Sequence, residues 1–342
     1  MIASETERTG STGRDDGAAV VRFEAQEWLP PEWRFSVELA SGAVLTAGPP
    51  GPPSARAWST VAKVRWPGHA AEVEIGARLL EREVELADLL ERAPWATGRE
   101  PLSRAADERG ERAELELGWR LGGERRRGRL VAVKSGARVL ALFAHGPEAE
   151  LDRVTRLAQA ARTLAVSAPP ASPYAEPMCT WEGRAPRPWS MALPASWIVE
   201  RGTESARASS LQADNVRRGD LDAPDEVVGK LAFAVLAREV GAAARDVAEL
   251  YLGAVREGGV DIGAPEITED DAPGPFTFGW RLRARAERAG VQGEIACRVL
   301  AADAGWVLAG VLSPSVDEDA AAWMQNRRAL ALACATARWR SA

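Results

Sequence analysis

Apolar positions along this chain switch between a helical and a strand rhythm, and the switch points mark its elements. Over residues 242–257, Val247, Leu250, Tyr251, Ala254 and Val255 recur at helical spacing, which predicts an amphipathic helix. A second helix is predicted over 317–338, with Ser315 or Asp317 as its cap. Between them, apolar runs predict strands at 276–286, 292–301 and 305–313, with a tight hairpin at Asp303-Ala304-Gly305. Upstream, 190–193 and 197–200 read as short strands, and the run LAFAVL at 231–236 as a strand buried on both faces.

The first half follows the same plan. Strands are predicted at 34–39, 72–79, 114–121 and 130–143, with a short helix over 84–92. A closing helix over 147–166 carries Leu151, Val154, Leu157, Ala161 and Leu164 on one stripe. Three landmarks recur in order. Leu29-Pro30-Pro31-Glu32-Trp33 is echoed by Leu193-Pro194-Ala195-Ser196-Trp197. Gly118-Trp119-Arg120-Leu121 returns unchanged as Gly279-Trp280-Arg281-Leu282, and Val139-Leu140-Ala141 as Val307-Leu308-Ala309. Their similar offsets predict two repeats of about 150 residues, each the size of a domain.

The expected organisation is a disordered polar tail at 1–18, a first repeat at 19–166, a linker at 167–188 and a second repeat at 189–342. The linker carries Pro169, Pro170, Pro173, Pro177, Pro186 and Pro188, and a second Pro/Gly loop spans 48–53. Each repeat reads β-β-β-α-β-β-β-α. The fold class is α+β, two tandem copies of a mainly antiparallel sheet flanked by helices.

A Leu-Pro-x-x-Trp opening, a middle helix, a three-strand meander and a closing helix resemble the Mog1/PsbP-like α/β/α sandwich. Within it, the copies are most similar to the DcrB and Eag-type branch. Glu32 and Ser196 stand where that branch's Leu-Pro-x-Gly-Trp signature has glycine. The resemblance implies a chaperone: Eag-type relatives are intracellular proteins that shield apolar helices of effectors bound for type VI secretion, as paired copies.

Composition narrows the chemistry. A net charge of −6 argues against general nucleic-acid or anionic-membrane binding. No apolar stretch is long enough for a membrane span, and the polar N-terminus lacks the apolar core of a secretory signal. Cys179, Cys297 and Cys334, odd in number and widely spaced, read as reduced thiols of a cytoplasmic protein.

No phosphate loop, dinucleotide fingerprint or nucleophile elbow is present, and Cys and His never reach zinc-ligand spacing. No metal and no cofactor is therefore assigned. His69 and His145 are placed in exposed turns, Glu269-Asp270-Asp271 in a solvated loop, and Glu124-Arg125-Arg126-Arg127-Gly128-Arg129 at a hairpin tip. Arg218-Gly219-Asp220 is taken as coincidence.

With two His against 13 Trp, the aromatic residues are the better candidates for function. Trp119, Trp280, Trp306, Phe276 and Phe278 are the candidate partner-binding residues. Their alternative role is shared core architecture. The expected function is non-enzymatic binding of another protein, such as an effector with apolar helices. Two readings stay open beside it: a scaffold subunit, or a ligand protein or enzyme with a site between the repeats and carboxylates such as Glu239 or Asp246 facing across it.

Overall fold

The computed structural model describes residues 18–23, 33, 35–40, 42–48, 53–107, 109–150, 165–166, 170, 172–219, 224–238, 243–270, 272, 276–302 and 305–339. Its described strands pair antiparallel throughout. The chain divides into two compact units, Met1–Glu81 with Glu85–Ala175, and Arg82–Val84 with Glu176–Ala342.

In the first unit, β1 (Ala18–Phe23), β2 (Phe35–Ala40) and β10 (Ala165–Val166) form a small sheet in the order β1-β2-β10. The large sheet contains β3 (Val44–Ala47), β4 (Ser59–Arg65), β5 (Glu72–Leu79), β6 (Glu100–Ala106), β7 (Arg112–Leu121), β8 (Glu124–Ser135) and β9 (Arg138–Pro147). Its order is β3-β4-β5-β9-β8-β7-β6, with helix α1 (Leu86–Glu91) between β5 and β6 in the chain. The middle strand, β9, is buried at every residue, with an apolar run from Val139 to Ala144 flanked by the buried Arg138 and His145. Phe35, Val37 and Leu39 of β2 share one core with Val64, Val73, Ile75, Leu140 and Leu142 of the large sheet.

The second unit traces a like path. Its small sheet runs β11 (Met178–Gly183), β12 (Trp189–Pro194), β21 (Arg338–Trp339). The large sheet runs β13 (Trp197–Glu204), β14 (Ala208–Arg217), β15 (Glu226–Ala237), β20 (Gly305–Pro314), β19 (Val291–Ala302), β18 (Phe278–Arg288) and β16 (Asp261–Ile262). A further strand, β17 (Glu266–Asp270), also pairs with β18. Helix α2 (Ala244–Glu257) follows β15 in the chain and α3 (Ala320–Thr336) follows β20. One core joins Trp189, Met191, Leu193 and Phe233 to Ala329, Leu330 and Ala333 of α3. On the opposite face Val247, Tyr251 and Leu252 of α2 pack on Leu282, Ile295, Val299 and Leu308. Helix α3 is fixed by a buried amide: Asn326 Nδ2 donates to Val228 O and Ser313 Oγ at 2.9 Å each, and its Oδ1 accepts from Asn215 Nδ2 at 2.8 Å.

Several expectations are corrected. The predicted strand 130–143 is two strands, turned at Gly136 with φ 60°. The arginines of 124–129 lie along β8, because Gly122 and Gly123, at φ 59° and 86°, already make the two-residue turn. The linker range contains β11, whose whole length pairs with β12. Glu269 and Asp270 belong to β17, and Asp271 lies outside the described residues. β15 alternates buried and half-buried positions instead of burying both faces. Helix α3 is capped by Asp319, which accepts from Ala322 N at 3.0 Å, not by Ser315 or Asp317. Strands β1, β3, β4, β6, β10, β14, β16 and β21 also add to the predicted set. Residues 1–17, Leu29–Pro31 of the opening motif, most of the 147–166 helix, most of the 48–53 loop, Asp220, Glu239 and Asp303-Ala304 lie outside the described residues.

Candidate functional site

Register decides which side chains can meet, because residues paired across a sheet share a face. In the second unit, Phe278 pairs with Ala301, Ala301 with Trp306 and Trp306 with Leu236, so this row lies on the α2 side of the sheet. The next row is Trp280, Val299, Leu308 and Ala234. Phe278 and Trp280 stand two residues apart on one strand, with ring centroids 6.1 Å apart.

Helix α2 lies over β19 and β20, reaches β16, and shares its core with Leu282 and Ala286 of β18. Trp306, beneath it, is 5% exposed and carries the Arg238 guanidinium 5.5 Å from its ring centroid. To the sides, Ala232, Ala234, Leu236 and Trp280 are half-buried, and Phe278 is 36% exposed. The indole N–H of Trp280 is buried with no hydrogen-bond partner among the described residues.

Three of the five candidate residues, Trp280, Trp306 and Phe278, therefore share one face. Phe276 does not; it is buried in the other core, with Trp189 and α3. Trp306 is on the right face but closed in by its burial. Asp246, offered as a facing carboxylate, instead accepts from Ala243 N at 2.9 Å at the start of α2.

The fifth residue, Trp119, lies on the corresponding strand β7 of the first unit, on its α1 side, but not at the equivalent place that the repeated Gly-Trp-Arg-Leu predicts. It pairs with Arg126 two residues before the β7–β8 turn, whereas Trp280 pairs with Val299 near the start of β18. Its ring stands 6.1 Å from Phe143 and 6.1 Å from His145, and Arg99 caps it at 4.3 Å. Each unit thus presents half-buried tryptophan on the helix side, beside an arginine stacked on an aromatic ring.

Beside Trp119 lies a cluster that sequence reasoning missed. His145, expected in an exposed turn, is in β9 and 7% exposed, stacked 4.6 Å from Phe143. A β strand continuing through His145 to Pro147 leaves no turn there. Its register partner is Glu72, and Glu74 lies on the same face two residues on. His145 Nε2 is 3.4 Å from Glu72 Oε1 and 3.9 Å from Glu74 Oε1.

Arg65 binds Glu72 Oε2 at 2.7 Å, Lys63 lies 3.3 Å from Glu74 Oε1, and Trp95 Nε1 donates to Glu74 Oε2 at 3.2 Å. The His145 imidazole, then Trp95 and Lys63, hold the Glu74 carboxyl at about 2 against the opposing effect of burial. Burial lowers the Arg99 guanidinium, with the Glu74 carboxylate opposing and Arg126 adding to the fall. The signal that could have found this cluster is the Glu-x-Glu spacing of β5, which puts two carboxylates on one face. The histidine comes from a distant strand and is joined only by pairing. Among the described residues no helix is long and apolar enough to cross a membrane.

No family model matches the sequence, and no curated protein matches it. Among solved structures, the chain is similar to cyanobacterial PsbP from Synechocystis sp. PCC 6803. That likeness has 11% identity, 46% coverage of this chain, 98% of the other and a TM-score of 0.32. It is also similar to TplEi, an immunity protein of the T6SS of Pseudomonas aeruginosa, complexed with an "L" peptide: 14% identity, 90% and 95% coverage, TM-score 0.24. A Tle4–Tli4 complex follows at 15% identity, 90% and 95% coverage and a TM-score of 0.23.

Proposed function

We propose that this chain is a non-enzymatic protein-binding module, a cytoplasmic chaperone or adaptor built from two copies of one Mog1/PsbP-like architecture. The matching strand paths of the two large sheets support the duplication. The observation that carries the binding function is the aromatic pair at one side of the second unit's α2 face. Phe278 stands 36% exposed beside the half-buried Trp280, whose ring packs against the α2 core. Aromatic side chains beside arginine are the composition of binding hot spots.

The occupant is an apolar helical segment of a partner protein. Its apolar side chains bury against Phe278 and the open part of the Trp280 ring. The partner class, an effector bound for type VI-like secretion, follows the resemblance of the sequence to Eag-type chaperones.

The test is a pull-down of the tagged full chain from its native host, with mass spectrometry and a repeat using Phe278→Ala/Trp280→Ala. A stoichiometric partner whose retention requires both its own apolar helices and these two rings supports the proposal. A clean monomer, or a partner held equally by the variant, overturns it. Recovery of one large assembly independent of these rings favours the scaffold reading.

A further inference from the structure

We propose that Glu72, Glu74 and His145 form a binding site for one divalent metal ion of the zinc class, on the helix-side face of the first unit's large sheet. One ligand atom from each residue, a carboxylate oxygen from each glutamate and a ring nitrogen from the histidine, lies within 4.8 Å of the other two. Two carboxylates and one imidazole are a donor set that zinc accepts, with its remaining position open.

Two observations separate this cluster from an ordinary surface ion-pair network. The first is His145. Its side chain is only 8% exposed, and neither ring nitrogen has a hydrogen-bond partner among the described residues. Nε2 is aimed between the two Oε1 atoms, at 3.4 and 3.9 Å, without a well-directed bond to either. A buried polar atom left unsatisfied is costly, and a cation placed between the three atoms removes that penalty at Nε2. The second is the orientation of the carboxylates. Arg65 holds Glu72 through Oε2 and Trp95 holds Glu74 through Oε2, so the Oε1 atoms are the ones turned to His145. Outer partners that fix ligand orientation in this way are a regular part of metal sites.

Lys63 is the competitor. Its ammonium lies 3.3 Å from Glu74 Oε1, the oxygen that faces His145, but the side chain is 42% exposed and can withdraw into water. Removing it should therefore favour the ion, whereas it would weaken a cluster that serves only as an ion-pair network.

Zinc titration of the chelator-treated full chain, by calorimetry and by the visible spectrum of a cobalt substitute, tests the site. One ion per chain is expected. Affinity should fall at least 30-fold in Glu72→Gln and in His145→Ala, rise several-fold in Lys63→Gln, and hold in His69→Ala. Glu72→Gln is isosteric and keeps the test open if His145→Ala does not fold. Absence of saturable binding, binding indifferent to Glu72→Gln, or binding lost with His69→Ala each overturns the proposal.

Discussion

The indole N–H of Trp95 lies 3.2 Å from the Glu74 carboxylate, and the same ring closes over the bare backbone of Gly76, two residues along β5. One side chain therefore shields the sheet and orients a carboxylate of the candidate metal site. A Cβ at Gly76 would stand 2.2 Å from Cη2 of that ring. The ring cannot simply tilt away, since Trp58 meets it edge-on at 5.3 Å and Phe143 lies 6.4 Å off. Gly76→Ala should destabilise the first unit by about 1–3 kcal/mol. Urea unfolding followed by tryptophan fluorescence measures it. An unchanged midpoint would mean that Trp95 moves freely.

In the second unit the corresponding single point of dependence is Asn326. Its amide satisfies Val228 O, Ser313 Oγ and Asn215 Nδ2, all in the buried contact between α3 and the sheet. Gly229 leaves it room, because a Cβ there would lie 2.2 Å from Asn326 Oδ1. Asn326→Ala leaves Val228 O and Ser313 Oγ without this donor, while Asn215 Nδ2 keeps Gln325 Oε1 at 3.2 Å, and should cost about 2–4 kcal/mol. Hydrogen exchange along α3 should rise with it. Loss of stability without faster exchange in α3 would place the effect elsewhere.

Much of this fold was legible in the chain because its central strands are so apolar. The apolar runs over 130–143 and 305–313 read as strands, the first merging β8 and β9 into one, and β9 and β20 occupy the middle of a seven- or eight-stranded sheet. The edges were harder. Every residue of β6 is exposed, so no apolar alternation marks it, and the partner strand supplies the order instead. The site was half legible. Recurrence of Gly-Trp-Arg-Leu located Trp119 and Trp280 on matching strands. Nothing in local sequence could separate Phe276 from Phe278, which differ only in the face that the start of β18 gives them. Nor could it join His145 to Glu72, a pairing that exists only through the β5–β9 register.

Acid should weaken the first unit through Glu114. Burial alone would raise its carboxyl, but Arg129, in contact, and Arg112, at 3.4 Å, outweigh that and hold it below the ordinary carboxylate range. A lowered pKa in the folded state means stability that is complete above the unfolded value of about 4.3 and lost as pH falls through the folded value. Glu114→Gln should therefore be less stable than the parent at pH 7, with a gap that closes on acidification. Unfolding free energies from pH 7 to pH 3 give the comparison. A gap constant over that range would show that the pair contributes packing instead of charge.

Phe276 and Phe278 give the sharpest test of the binding face. They are two residues apart, yet the first is 7% exposed in the core with Trp189 and α3, and the second stands open beside Trp280. Phe276→Ala opens a cavity and should cost about 3–5 kcal/mol, with any loss of binding following loss of fold. Phe278→Ala removes a side chain that is already partly in water, so stability should change by less than about 1 kcal/mol. If the strip holds a partner's apolar helix, this mild variant should weaken binding at least 10-fold while its thermal melt stays at the parent's. Calorimetry with the captured partner's helix as titrant separates the two variants. Equal affinity for Phe278→Ala and the parent would remove this face from the binding function.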